Sequence, residues 1–462
     1  MTQDSRFDVR HTRHVHSATR PVPGDLEKTF SFLESLIRPG SKYDLETVGF
    51  LLERLDAPHR RFPWIQIVGS NGKGSTSALL TDLLTSAGYR VGFFSSPHLV
   101  SLRERMRVGR SPITPSQLAD VTRRLQRRIQ DDPIFIESPP SFFEAGFAMA
   151  CMHFADQKVD IAIAESGLGG RYDATSVVDP IASILTSISL DHEKTLGPTL
   201  EHILAEKIAI ARSGIPMVTA DLGQDLNRLA RDHCRQVGSP LHVVAQAAES
   251  ALDPERWGTR FRTTPAGELQ FVSLMGRHQA NNATLALAAL DHLSPRFQVE
   301  PGSRRIALET TSWPARFQKI DEQIILDGGH NMSGTRALVD TYREAFGDLP
   351  AVKVIGFSGD KRLEEMIEIL REIPGPFVVT RAIHWRSCSM DQICEYVRRQ
   401  DPERVLWVEP DPAEAVRRAR DLAGKKDMIL ITGSLYLLGE IISAGAVGDP
   451  DDVLGLDLGG FA

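Results

Sequence analysis

One glycine-rich stretch has the residue types and the spacing needed to hold a polyphosphate. Residues 69–76 read Gly-Ser-Asn-Gly-Lys-Gly-Ser-Thr, and they follow an apolar run from Trp64 to Val68. From Ser75 onward the apolar residues recur at helical spacing. Glycines let backbone N–H groups approach phosphate oxygens, and a helix N-terminus adds partial positive charge. Lys73 can reach the outer phosphates and a hydroxyl can serve a magnesium ion, so we predict nucleotide binding here.

This loop departs from the strict P-loop pattern G-x-x-x-x-G-K-[ST]. Ile67 stands where the first glycine is expected, and Gly74 separates Lys73 from Ser75. An ordinary glycine-rich turn of an α/β protein is therefore an alternative interpretation. The strand pattern before the loop and the helix pattern after it favour nucleotide binding.

Three further polar clusters come directly after apolar runs. They are Ser96-Pro97-His98, Glu165 to Gly170, and Asp191-His192. Ligands of open α/β sheets lie at the carboxyl ends of the strands, so folding should bring these clusters to the same edge as the glycine loop. Magnesium takes a few protein ligands together with water and phosphate oxygens. The predicted ligands of a phosphate-bound cation are Ser75, Ser96, Glu165 and His192.

Strands and helices alternate along most of the chain, which predicts an α/β protein with parallel sheets and helices on both faces. The 462 residues exceed the size of a single core, about 250–300 residues, so we expect two domains. Residues 294–305 contain prolines, a glycine and arginines, as in a linker. The predicted parts are a disordered arm (1–24), a P-loop-type parallel-sheet ATPase domain (25–296), a smaller Rossmann-like α/β domain (297–447) and a flexible acidic tail (448–462).

Composition excludes several classes of protein. The formal net charge is −7 and there is no long basic run, which argues against nucleic acid as a partner. No stretch has the ~18 apolar residues of a membrane-spanning helix, and the N-terminus lacks the apolar core of a signal peptide. Four cysteines without metal-ligand spacing are typical of free thiols in a reducing compartment. We expect a cytoplasmic protein.

Eight short motifs occur in order between about residues 26 and 440. They are GSNGKGS at 69–75, SPHL at 96–99, ESGLGGRYDAT at 165–175, LDH at 190–192 with Glu206-Lys207 downstream, GRHQ at 276–279 with Asn282-Ala283, WPAR at 313–316, DGGHN at 327–331 and GSLY at 433–436. This series resembles the folylpolyglutamate synthase and dihydrofolate synthase branch of the Mur ligase superfamily. The family's own loop reads GTNGKGS, which accounts for the extra glycine.

The resemblance implies roles for the matching residues. Those that would hold ATP are Asn71, Gly72, Lys73, Gly74, Ser75, Asn282, Arg316 and Asp327, with His330 beside them. Those that would bind one or two magnesium ions are Ser96, Glu165 and His192. Lys207 would be carbamylated, and the implied catalytic set is Lys73, Lys207, His192 and Arg316. Those that would face the substrates are Ser141, Phe142, Phe143, Glu144, Tyr172, Asp173 and Ala174 on the pterin side, and Ser434 with Tyr436 near the glutamate.

The implied reaction is ATP-dependent joining of L-glutamate to a folate-type carboxylate through an acyl phosphate. That carboxylate is dihydropteroate, a tetrahydrofolate polyglutamate, or both, and we expect a monomer that binds these small molecules. Lys42 to Thr47 lack the glycine and arginine of the family's pteroate stretch, which leaves the acyl substrate open. The alternatives are a Mur-ligase-like enzyme that uses a different carboxylic acid and a non-catalytic ATP-binding relative.

Overall fold

The structure is a computed structural model, and it describes residues 24–37, 44–293, 295–359, 361–384, 387–403 and 405–458. The arm predicted for residues 1–24 lies outside this part of the chain except for Gly24, as do Lys42 and Tyr43 of the altered pteroate stretch.

The larger sheet carries the glycine loop at its centre. Its strands are β1 (Trp64–Val68), β2 (Val91–Phe94), β3 (Met106–Val108), β4 (Ser111–Pro112), β5 (Ile161–Glu165), β6 (Pro180–Leu185), β7 (Met217–Ala220) and β8 (Leu241–Val244). Their order is β4-β3-β2-β5-β1-β6-β7-β8, and all pairs from β2 to β8 are parallel. β1 is buried along its whole length, which explains its continuous apolar run.

Helices cover both faces of this sheet. They are α1 (Gly24–Ser35), α2 (Glu46–Arg54), α3 (Lys73–Ser86), α4 (Pro115–Asp131), α5 (Ile134–Glu137), α6 (Phe142–Asp156), α7 (Glu193–Leu196), α8 (Leu200–Ile208), α9 (Gln224–Val237), α10 (Arg277–Asp291) and α11 (Pro301–Thr310). Successive side chains of β1 point to opposite faces. Trp64 therefore packs with α2, α4 and α6, whereas Ile65 and Ile67 pack with α3, α10 and α11.

The segment 294–305 differs from the predicted linker. Pro301 begins α11, and Ala307 and Leu308 of that helix are buried against the larger sheet. Proline is favourable at the first turn of a helix, where no N–H is needed, so Pro301 marks a helix start, whereas residues 295–300 are irregular. The chain leaves the first core only after Thr310.

A small antiparallel sheet joins the two halves of the molecule. Its strands are β9 (Glu249–Asp253), β10 (Gly258–Arg262) and β11 (Gln270–Val272). Leu252 and Trp257 belong to the same buried cluster as Phe317 and Tyr342 of the second half. This third sheet was not predicted from the sequence, because its strands are short and mostly polar.

The second sheet confirms the predicted α/β architecture. Its strands are β12 (Gln318–Lys319), β13 (Ile324–Asp327), β14 (Ala351–Ile355), β15 (Phe377–Val379), β16 (Leu406–Val408) and β17 (Met428–Thr432), in the order β12-β13-β17-β14-β15-β16. All pairs are parallel except β12 with β13. The accompanying helices are α12 (Met332–Phe346), α13 (Leu363–Leu370), α14 (Met390–Gln400), α15 (Pro412–Leu422), α16 (Leu435–Ser443) and α17 (Pro450–Leu454).

The C-terminal segment also differs from the expected flexible tail, as far as it is described. Residues 450–454 form α17, and Leu454, Leu456 and Leu458 are buried. The acidic residues between them kept the apolar spacing from being recognised. In the described part of the chain, no helix has the length and apolar character to cross a membrane.

Candidate functional site

The glycine loop connects β1 to α3, and close approach of neighbouring groups requires its glycines. Gly72 has φ +83°, and a Cβ there would lie 2.6 Å from Asn282 Oδ1. Asn282 extends from α10, so this predicted ATP-binding residue lies against the glycine loop. The Asn71 N–H donates to Ser187 Oγ at 2.9 Å, which ties the loop to the end of β6.

The extra glycine of the loop faces the chain that enters the second half. A Cβ at Gly74 would lie 2.5 Å from Trp313 Nε1, so only glycine allows the indole to pack on the start of α3. Trp313 also stacks near Phe93 and lies three residues before Arg316. Ser75 follows in the first turn of α3 and is almost fully buried. The segment that carries Arg316 therefore packs directly on the glycine loop.

Two lysines converge on the same backbone carbonyl. Lys73 Nζ donates to Gly69 O at 2.9 Å and to Ser70 O at 3.3 Å, and Lys207 Nζ donates to Gly69 O at 3.0 Å. Burial lowers the pKa of both amines; that of Lys207 falls to about 7, with the charge of Lys73 acting in the same direction. Lys207 is therefore an amine that is substantially neutral near pH 7, which is the form that can react with carbon dioxide.

Glu165 ends β5 beside these cations. Burial raises the pKa of its carboxyl group to about 7, while Lys73 and Arg316 act to lower it, and the Ser96 N–H donates to it. Within the described residues Glu165 takes part in no ion pair. A buried carboxylate without a direct cationic partner fits a hard cation such as magnesium.

His192, another predicted metal ligand, lies at the start of α7. His192 caps α7 in a left-handed conformation, with φ +52°, and its Nε2 lies 3.9 Å from Asp191 Oδ1. In the described ranges, no three His, Cys, Asp or Glu side chains form a ready-made metal site. This donor set suits a cation that takes its other ligands from hydroxyl groups, phosphate and water, as magnesium does.

A charged contact between the two halves was missed by sequence reasoning. Lys361 Nζ donates to Asp191 Oδ1 at 2.5 Å, and Asn331 Nδ2 donates to Asp191 Oδ2 at 3.0 Å. The predicted ATP residue His330 lies nearby, with Nε2 3.9 Å from Asp191 Oδ2. His192, Lys361 and His330 lower the pKa of Asp191 although burial acts to raise it. Lys361 follows the apolar strand β14, so the strand-end reasoning used for the first half could have found it.

Arg316 sits in a strained turn. Ala315 and Phe317 on either side of it have φ +57° and +47°, a region that costs energy for residues other than glycine. Asp327 holds the turn, because its Oδ2 accepts the Phe317 N–H at 2.9 Å and its Oδ1 accepts the Gly329 N–H at 2.7 Å. Both carboxylate oxygens of Asp327 are thus engaged locally, and its contact with ATP stays a prediction.

Several residues predicted to face the pterin are engaged in local structure. Ser141 and Glu144 form a reciprocal capping box at the start of α6, with Glu144 Oε2 accepting the Ser141 N–H at 2.7 Å. Asp173 accepts the N–H groups of Gly167 and Leu168, which shapes the glycine-rich turn after β5. Ala174 is buried, whereas Tyr172 is half exposed. These contacts give the residues a structural role, and their substrate contacts remain predictions.

Phe142 and Phe143 lie near a cation that the sequence interpretation left out. Arg105 Cζ lies 5.3 Å from the Phe142 ring centroid, and its Nε donates to His98 Nδ1 at 2.9 Å. Phe143 packs against Phe94 and against the backbone of Gly167. Burial lowers the pKa of Arg105 to about 10, still far above neutrality. In the described part of the chain Arg105 pairs with no carboxylate, which suits a site for an anionic ligand.

The residues predicted near the glutamate lie at the start of α16. Ser434 is buried at the N-cap position, and its side chain makes no capping bond. Tyr436 stacks on His384 with ring centroids 3.9 Å apart, and its hydroxyl is close enough to influence the pKa of Arg105. Tyr436 therefore approaches Arg105 from the second half of the molecule.

Comparison with known protein families gives two matches that together span most of the chain. The Mur ligase middle domain matches residues 67–290, and the glutamate ligase domain of Mur ligases matches residues 315–435.

Two bacterial proteins are similar to this chain over most of its length. The dihydrofolate synthase/folylpolyglutamate synthase of Bacillus subtilis is 30% identical over 424 residues, covering 89% of this chain and 97% of that protein. The protein of the same name from Mycobacterium tuberculosis is 28% identical over 442 residues, covering 87% and 88%.

Solved structures show the same architecture. The M. tuberculosis folylpolyglutamate synthase complexed with ADP and AMPPCP superposes with a TM-score of 0.82 at 26% identity, covering 92% of this chain and 98% of that one. The E. coli FolC structure in complex with DHPP and ADP gives a TM-score of 0.79 at 27% identity, covering 91% and 97%.

Proposed function

This chain belongs to the folylpolyglutamate synthase and dihydrofolate synthase family of Mur ligases, and from that premise we propose how its site acts. It is an ATP-dependent ligase that joins L-glutamate to a folate-type carboxylate. The convergence of Lys73 and Lys207 on the Gly69 carbonyl, beside the buried Glu165, is the observation that best supports this reaction.

The reaction begins with phosphoryl transfer. A carboxylate is a poor acyl donor at neutral pH, so one of its oxygens takes the γ-phosphoryl group of ATP and an acyl phosphate forms. Such transfer depends on positioning and on neutralisation of charge rather than on covalent help from the protein. Lys73 would exchange its two carbonyl contacts for phosphate oxygens, and Arg316 would add positive charge from the other side of the loop.

Amide formation follows at the same place. The glutamate nitrogen attacks the acyl carbon, its proton is lost, and phosphate leaves, which gives the amide with ADP and phosphate. Water must be excluded while the acyl phosphate exists. The contacts of Asp191 with Lys361 and Asn331 hold the two halves of the molecule together beside this region, which would keep water away from the acyl phosphate.

Ser96, Glu165 and His192 would hold magnesium, which supplies further neutralisation of phosphate charge when bound. Lys207 would add its neutral amine to carbon dioxide and lose a proton, becoming a carbamate anion.

We also retain a cytoplasmic monomer as part of the proposal. The four cysteines are buried and unpaired, which supports a reducing compartment.

The reaction is tested by phosphate release from ATP and magnesium in the purified protein. We expect release only when both a carboxylate substrate and an amino acid are present, with dihydropteroate or tetrahydrofolate and glutamate as the productive pair. Phosphate release with an unrelated acid, but with none of the pterins, would identify the alternative ligase. Absence of phosphate release with every acid of a broad panel would favour an ATP-binding protein without catalysis.

Arg105 provides a second prediction about this site. We expect Arg105→Met to raise the KM of one carboxylate-bearing substrate by about 10- to 150-fold, because a charge-assisted hydrogen bond contributes roughly 1.5–3 kcal/mol. The affinity for ADP, measured by calorimetry, should stay unchanged. The control is Arg123→Ala on the exposed face of α4. Unchanged KM values for both carboxylates would show that Arg105 binds neither.

A further inference from the structure

The C-terminal segment 449–458 links both halves of the molecule, and we name it the C-terminal strap. It contains α17 and lies beyond residue 435, where the match to the glutamate ligase domain ends. The Asp449 carboxylate caps the helix by accepting the Asp451 N–H at 2.9 Å. Val453 packs with α16 and with Ala315, so the strap is anchored on the second half.

The strap then crosses to the first half. Leu454, Leu456 and Leu458 are buried against Leu99 and Val100 of the loop between β2 and β3. Arg103 secures the end of the strap, because its Nη1 donates to Leu458 O at 2.7 Å while its Nε donates to Ile113 O at 2.6 Å. Arg103 is itself buried, so this contact is not an exposed and replaceable one.

The loop that receives the strap leads directly into the predicted metal site. Leu99 and Val100 follow Ser96-Pro97-His98 in the chain. Glu104 holds the loop by accepting N–H groups from Leu99, Val100 and Ser101 at 3.0, 2.8 and 2.6 Å. Because Glu104 fixes the backbone of this loop, a displacement of Leu99 would also move Ser96 and His98.

A second connection runs from the strap to the strained turn of Arg316. Gln318 Nε2 donates to Val453 O at 2.5 Å, and Gln318 Oε1 accepts the Ala315 N–H at 2.9 Å. Ala315 O in turn accepts a hydrogen bond from Arg316 Nη1 at 2.9 Å. One glutamine thus connects the strap to the backbone and side-chain geometry of Arg316.

We propose that the C-terminal strap is a positioning element, which holds the Arg316 turn and the Ser96–His98 loop in register across the two halves, with Gln318 as its positioning residue. The Arg316 turn and the Ser96–His98 loop both carry residues of the proposed ligase site, so the catalytic consequence rests on the proposed function. The strap adds to the other connections between the two halves, namely the small antiparallel sheet, the chain after Thr310 and the approach of Leu99 to Gly439 of α16. Positioning errors of about 1 Å can reduce a rate by about 100-fold.

Removal of the strap is the direct test. A chain that ends at Gly448 should lose about 10- to 100-fold in kcat/KM for ATP, whereas a chain that ends at Leu458 keeps the strap and should match the full chain. A peptide of residues 448–462 added in trans should restore much of the loss, which a merely unfolded protein would not allow. Equal kinetics for the chains that end at Gly448 and at Leu458 would overturn the proposal.

Point variants test the two connections separately in the full-length protein. Gln318→Glu keeps the acceptor for the Ala315 N–H but removes the donor to Val453, and it should raise KM for ATP severalfold. Leu456→Asp should release the strap from Leu99 and reproduce the truncation. Asp452→Ala, on the exposed side of α17, is the matched control and should have no effect.

Amide hydrogen exchange separates this proposal from the ligase reaction. With the strap removed or released by Leu456→Asp, exchange should become faster at residues 315–317 and 99–101 whether or not the protein ligates glutamate. Unchanged exchange in both segments would sink the strap proposal. If exchange becomes faster in these variants but the full-length protein has no ligase activity, the strap proposal stands and the proposed reaction is refuted.

Discussion

Lys73→Ala should abolish turnover, with kcat reduced by about 1,000-fold or more. The lysine is the only residue of the glycine loop that can bring a positive charge to the phosphates of ATP, and it already points into the loop through its bonds to Gly69 O and Ser70 O. Removing a single preorganised electrostatic group from a phosphoryl or acyl transfer site costs about 100- to 1,000-fold. Here the same group also helps to bind the substrate, which adds to the loss. Single-turnover formation of ADP measures the effect on chemistry.

The control for this variant is Lys426→Ala, which removes an exposed lysine far from the loop. Lys73→Ala should stay folded, because it removes a cation whose burial is unfavourable, as the lowered pKa of Lys73 indicates. A thermal unfolding curve like that of the parent would establish this. Substantial remaining turnover would mean that the loop is not the phosphate cradle.

Lys207→Ala should produce a loss of comparable size, about 100- to 1,000-fold, by removing the proposed carbamate anion. A small carboxylate such as formate or acetate should restore part of the activity, because it supplies an anion of similar shape to the space vacated by the side chain. Lys207→Arg retains the cation and should not respond to carboxylates. If Lys207→Ala retains full activity, or if the variant is inactive and no carboxylate restores any turnover, the carbamate proposal fails.

The same lysine leads to an expected pH dependence. Burial lowers the pKa of Lys207 and raises that of Glu165, in both cases to about 7. The neutral amine and the ionised carboxylate are the forms that the site needs, and both are present above that pH and lost as pH falls through it. We therefore expect the activity of the wild-type protein to decline below about pH 7, and the acidic limb should change shape in Lys207→Ala with acetate.

Local patterns made much of the fold and part of the site predictable. The run Trp64 to Val68 is apolar on both faces because the central strand of a parallel sheet is covered on both sides, and this is visible without any tertiary information. The polar residues that follow β1 and β5 were recognised as site residues for the same reason, since strands of a parallel sheet end at one edge. Glu165 and Lys73 were predicted as site residues in this way.

Predictions failed where a local signal had another explanation. Prolines between residues 294 and 305 suggested a linker, but Pro301 starts a helix at a position where proline is favourable. Acidic residues after Gly448 suggested a flexible tail, but the leucines between them are buried. Arg105 was overlooked because a single charged residue in a polar segment has no distinctive pattern of its own, and Lys361 because the strand-end reasoning was applied only to the first half.

Sequence alone determined the glycine loop, the alternation of strands and helices and, through the series of motifs, the family. These depend on neighbours along the chain, where spacing translates directly into geometry. Only the tertiary structure decided why Gly74 must be glycine, which cations meet at the Gly69 carbonyl, and how the C-terminal strap reaches the Arg316 turn. Each of these depends on residues far apart in sequence, such as Gly74 with Trp313 and Val453 with Gln318. Such contacts are set by how packed elements approach one another, which no local periodicity specifies.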